Sequence, residues 1–85
     1  MQLEDFQKKL SARPFQPFRI FLSDGAAFDV RHPEMLLLGR RSMVLGVANR
    51  PEETVYDRSV DIDLLHVVRM ESIEAATARG GNGSV

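Results

Sequence analysis

The sequence predicts a mainly β, α+β fold: one N-terminal helix, then a strongly bent five-stranded antiparallel sheet rolled into a small barrel. Three observations carry this. An apolar period of 3.6 residues ends at Pro14, a period of two takes over at Phe18, and turn-forming residues then punctuate short apolar runs. Rolling the sheet hides its edges and offers the helix an apolar surface to cover.

The elements follow in order. Leu3, Phe6 and Leu10 fall on one helical face, with Glu4 and Asp5 early and Lys8 and Lys9 late, as the helix dipole favours. Pro14 stops the helix because its ring cannot continue the hydrogen-bond ladder. In Arg13-Pro14-Phe15-Gln16-Pro17-Phe18 the two prolines then set an extended joint, and Phe15 and Phe18 fill the seam between helix and sheet. The stretch also reads as a PxxP ligand, but a ligand must be free and exposed, whereas this one is clamped between two elements. From Phe18, Ile20 and Leu22 share one face and Arg19, Phe21 and Ser23 the other. Asp24-Gly25 tolerates positive φ at both central positions of a hairpin turn. The return strand turns Phe28 and Val30 inward and Asp29 and Arg31 outward, and Pro33 interrupts its ladder. Met35–Leu38 reads as the same strand, bent and resumed. Gly39 opens a second turn, Ser42–Val47 is the third strand, and Val55–Ile62, after a polar loop, is the fourth. A tight turn at Asp63-Leu64-Leu65 leads to a fifth strand over His66–Glu71. Residues 1–73 thus form a single domain, and 74–85, ending in RGGNGSV, are predicted to be a disordered tail.

Composition narrows the function. Eighty-five residues make one domain with a small core, so association with another surface is a natural source of stability. A net charge of −1 gives no global attraction to nucleic acid or anionic membrane. With no cysteine there is neither disulfide nor thiolate metal site. The N-terminal residues are charged, without the apolar run of a signal peptide, and Met35–Leu38 is far too short to span a bilayer. The expectation is a cytoplasmic protein.

Few residues advertise chemistry. Asp61, Asp63 and His66 could ligate a divalent metal, but a catalytic zinc needs three protein ligands, and His66 lies past a turn from the two carboxylates. Asp63 is better read as capping that turn, with the His66 ring half-buried and hydrogen-bonded. His32 and Glu34 could act as an acid–base pair, yet Ser42, Thr54 and Ser59 offer no nucleophile-elbow context. The glycines form no phosphate cradle. The chain is therefore read as non-enzymatic, with no cofactor.

Arginine supplies nine of the eleven basic residues. Arg40 and Arg41, at a predicted turn tip, with Arg19 and Arg31 on a strand face, are the candidate nucleic-acid contacts. Arg19, Arg31 and Arg69 share outer faces with Asp29, Asp57, Asp61 and Glu71, however, and mixed signs favour cross-strand ion pairs over a phosphate track. Phe21, Val44 and Val67 are apolar where alternation predicts solvent, which marks a protein–protein patch.

ARPFQPFRIFLSDGAAFDVRHPE followed by DLLHVVRMES resembles a group of small uncharacterised bacterial proteins with the pattern ARPFxPFRIxLxDGxxFxVRHPE and then DLLxVxRxE. The resemblance spans about residues 12–71 and carries no activity with it. The element order is similar to the Sm-like fold, a small SH3-like barrel that commonly forms rings and binds RNA. The R-G-x signature before the last strand of that fold is replaced here by DLLHVVRMES, so this likeness implies architecture and oligomerisation but no base pocket. The expected function is a non-catalytic interaction module that binds itself or a protein partner. A nucleic-acid-binding module is the alternative, and a metal-binding or hydrolytic protein a remote one.

Overall fold

In the computed structural model, which describes residues 2–50 and 53–73, the chain is α+β and mainly β. Helix α1 spans Leu3–Ser11, and strands β1 (Phe18–Leu22), β2 (Ala27–Val30), β3 (Leu36–Leu38), β4 (Ser42–Val47), β5 (Arg58–Asp63) and β6 (Val67–Ser72) follow. Short 3-10 turns at Pro33–Met35 and Leu64–His66 join β2 to β3 and β5 to β6. The strands form two antiparallel sheets of three, ordered β2-β1-β6 and β3-β4-β5. The expected five-stranded sheet is thus six strands in two sheets, and they do not form a closed barrel.

The difference arises at His32-Pro33. Pro33 has no N–H to give a ladder, and it opens a 3-10 turn in which Met35 N–H donates to the His32 carbonyl at 3.1 Å. The β2 ladder with β1 ends at Val30, and the β3 ladder with β4 starts at Leu36. What alternation presents as one bent strand is two strands in different sheets.

The first hairpin closes through three residues rather than two. Gly25 N–H donates to the Leu22 carbonyl at 3.0 Å, and only Gly25 takes positive φ, at 93°. Asp24 stays at negative φ and its carboxylate accepts the Ala26 N–H at 2.9 Å, an Asx turn that holds the loop. β5 begins at Arg58 and not at Val55. Tyr56 packs flat on Gly46, where a Cβ would lie 2.7 Å from its ring, and Asp57 N–H donates to the Val47 carbonyl at 2.8 Å. The approach to β5 is therefore irregular backbone. β6 starts at Val67, since His66 belongs to the second 3-10 turn. The expected tail, 74–85, lies outside the described residues, as do residues 51 and 52 of the polar loop.

The core lies between the sheets. β1 and β2 supply Phe18, Ile20 and Val30; β3, β4 and β5 supply Leu36, Met43, Leu45 and Ile62, and all are buried. Phe6 of α1 is fully buried against Phe18, with ring centroids 6.4 Å apart, and Phe15 meets the other side of Phe18 edge-on at 6.1 Å. The RPFQPF stretch is thus a packed joint, with Phe15 half-buried against the core. At the opposite end, Ser23 N–H donates to the His66 carbonyl at 2.8 Å and Leu64 N–H to the Arg41 carbonyl at 2.9 Å, tying the second 3-10 turn to both sheets.

Phe6→Ala is expected to lose about 3–5 kcal/mol of unfolding free energy in urea titration, by lost burial plus a cavity. Phe15→Ala should lose less, because its ring is only half-buried. An unchanged midpoint for Phe6→Ala would contradict the seam as described.

Candidate functional site

The outward face of β2-β1-β6 is where the arginines gather. Arg19 pairs across the sheet with Asp29 on one side and Glu71 on the other. Its Nε donates to Asp29 Oδ1 at 2.6 Å and Nη2 to Oδ2 at 3.2 Å, a two-point pairing across the hairpin. Arg31 Nη2 reaches the same Oδ2 at 3.2 Å, so one carboxylate holds two guanidiniums. The hydrogen bond from Arg19, aided by the positive charge of both arginines, holds the Asp29 carboxyl below its ordinary pKa against the opposing effect of partial burial. The same hydrogen bond raises Arg19 further above its own ordinary value. One row along, Arg69 lies 3.9 Å over the half-buried Phe21 ring while its Nε donates to Glu71 at 2.8 Å.

This face borders a groove of about 540 Å³ between β1–β2 and the end of β4. Its lining joins the apolar Phe21, Phe28 and Val47 with Arg19, Arg31 and Arg50. Arg50 is exposed and engages no carboxylate among the described residues.

The outward face of the other sheet is different in kind. Leu37 of β3 lies opposite Val44 of β4, and Val44 opposite Asp61 of β5. Leu37 is 68% exposed and Val44 37%. Asp63 continues the acidic side of this face opposite Ser42.

The candidate residues are therefore dispersed. Val44 is exposed as expected, but Val67 is not: it is 6% exposed and part of the core. A β-bulge explains the reversal. Phe21 pairs with Arg69 but Leu22 with Val67, so Val68 is an extra residue that flips the facing of the strand and stands exposed in its place. Phe21 lies under Arg69. Arg40 and Arg41 are exposed in the β3–β4 turn and are not brought to Arg19 and Arg31, which face the groove and are ion-paired. Alternation gave no warning of Leu37 or Leu65, because Leu37 sits in a short apolar run and Leu65 in a tight turn.

Asp63 Oδ1 accepts the Leu65 N–H at 2.9 Å and caps the second 3-10 turn. His66 is exposed, not half-buried, with Nδ1 3.4 Å from Ser23 Oγ. Among the described residues, no three His, Asp or Glu side chains are grouped to hold a metal ion. His32 leads into the first 3-10 turn with Glu34 exposed beside it, while Ser42, Ser59 and Thr54 sit on β4, on β5 and in the loop before β5. No described helix is long and apolar enough to cross a membrane.

Comparison of the chain with protein-family models, curated proteins and solved structures found no match.

Asp29 gives a pH signature. Its folded pKa is depressed, so its contribution is complete above the unfolded value of about 3.9 and fades as pH falls through the folded value. Asp29→Asn should be less stable than the parent at neutral pH and lose less stability on acidification below about pH 4. Urea midpoints measured from pH 2 to 7 check this, and parallel profiles for the two proteins would contradict it.

Proposed function

We propose that this chain is a non-catalytic interaction module that associates with copies of itself or with a protein partner. Its architecture is read as a small SH3/Sm-like barrel interrupted at Pro33. Joining β2 to β3 through the 3-10 turn gives the single order β6-β1-β2/β3-β4-β5, the order of one bent five-stranded sheet. The core residues Ile20, Val30, Leu45 and Ile62 then point to one interior.

The observation that carries the functional reading is the Leu37–Val44 pair. Isolated exposed aliphatic residues are ordinary on protein surfaces. Here two are cross-strand neighbours on one face, and Leu65 within the second 3-10 turn and Val68 just after it are 88% and 56% exposed. A domain this small has little core to spare, and covering such residues by association adds stability. The alternative, a nucleic-acid-binding module, keeps Arg40 and Arg41, exposed in a turn and in no ion pair among the described residues. It is weakened because Arg19 and Arg31 are already held by Asp29.

Light scattering between about 1 and 100 µM should give a mass that rises above the monomer, consistent with weak association. Leu37→Glu should return the monomer mass without lowering the melting temperature below that of the parent at concentrations where the parent is itself monomeric, since position 37 is exposed. A monomer mass throughout for the parent would overturn self-association and leave only an external partner.

A further inference from the structure

We propose that self-association is head-to-tail: the Leu37–Val44–Asp61 row of one copy docks against the arginine-lined groove of the next, with Asp61 on Arg19 and the aliphatic pair against Phe21 and the Arg69 side chain stacked on it. This inference rests on the self-association reading above. The row lies on the outward face of β3-β4-β5 and the groove runs from β1–β2 to the end of β4, and the two are complementary in charge and in apolar content.

The donor face is acidic and apolar. The outward positions of its three strands carry Asp61 and Asp63 and no basic residue. The groove carries three arginines against two carboxylates, Asp29 and Glu53. Arg19 spends Nε and one Nη on Asp29, and a guanidinium has five N–H donors, so it keeps donors for a second carboxylate. Asp29 fixes the fork before the partner arrives, which limits the ordering needed on binding. Spacing agrees as well. Arg19 and Phe21, two residues apart on one face of a strand, are about 7 Å apart. In the opposing row, strands about 4.8 Å apart place Val44 one spacing and Leu37 two spacings from Asp61. A carboxylate seated on Arg19 therefore brings the two aliphatic side chains to either side of the stacked Phe21–Arg69 pair.

Like charge disfavours the symmetric arrangement. Two copies meeting through the same β3-β4-β5 face would bring two sets of Asp61 and Asp63 into one interface, with no basic residue on the outward strand positions of either to pair them. A head-to-tail contact avoids this and leaves the pair with one groove and one row still to fill, so assembly continues past the dimer into a ring or, where the rotation does not close, a filament.

Charge reversal on each side tests the proposal by light scattering and sedimentation. Asp61→Arg spoils the row, and Arg19→Glu spoils the groove. Arg50→Glu is a second groove variant at an exposed site, used if Arg19→Glu proves unfolded by its thermal transition. Each variant alone is expected to stay monomeric at concentrations where the parent associates. An equimolar mixture of a row variant and a groove variant should form a complex of at least twice the monomer mass, because each supplies the half that the other lacks. Variants that associate as the parent does would overturn this inference while leaving self-association standing. Monomeric variants that fail to combine on mixing would overturn the head-to-tail geometry. A parent that is itself monomeric would overturn both this inference and the self-association on which it rests.

Discussion

The β-ladder hydrogen bonding breaks off before His32-Pro33, and most of the structure depends on that break. With no N–H at Pro33, the chain leaves the β1 ladder after Val30, makes one 3-10 turn and enters a second ladder at Leu36. Each side of the break then builds a three-stranded antiparallel sheet from neighbouring segments, and the two sheets face one another across a shared core. A second 3-10 turn, capped by Asp63, does the same job at the other end of the fold. Because the two sheets are built from different sequence, their outward faces differ. One carries arginines held by carboxylates around Phe21; the other carries a strip of Leu37 and Val44 beside Asp61 and Asp63.

The aromatic seam completes the interior. Phe18 sits at the start of the central strand of the first sheet and receives Phe6 from the helix and Phe15 from the joint. Three rings packed in this way bury much apolar area per residue, which a domain of this size needs. The prolines of RPFQPF hold Phe15 and Phe18 at the spacing the seam uses, so a stretch that has the look of a recognition peptide is spent on the fold.

Much of this was legible in the sequence, because regular periods report facing directly. The helix, β1 and the inward Phe18, Ile20 and Val30 follow from spacing alone. The Arg19–Asp29 pair follows from the alternation on either side of the Asp24-Gly25 turn. What escaped has local causes. A bent strand and two successive strands give the same alternation, so six strands read as five. The Val68 bulge adds one residue, which reverses facing and sends Val67 inward. The Asx bond of Asp24 selects a three-residue loop where the dipeptide suggests two. Leu37 was hidden in a run of leucines, where only the register with β4 shows which residue points out. The groove is built from segments distant in sequence, which no local pattern connects.

Under the proposed head-to-tail contact, this chain meets its own copies through opposite faces. The sequence has no cysteine, so a single introduced thiol can be labelled cleanly. Ser59, exposed opposite Gly46, lies beside Asp61 on the acidic face and takes no part in the proposed contact. A paramagnetic label on Ser59→Cys, mixed with unlabelled isotope-enriched protein, measures where one copy approaches another. The head-to-tail contact predicts selective broadening of the Arg19, Phe21 and Ala27 amides. Broadening confined to β3–β5, or none at concentrations where the mass exceeds the monomer, would contradict it.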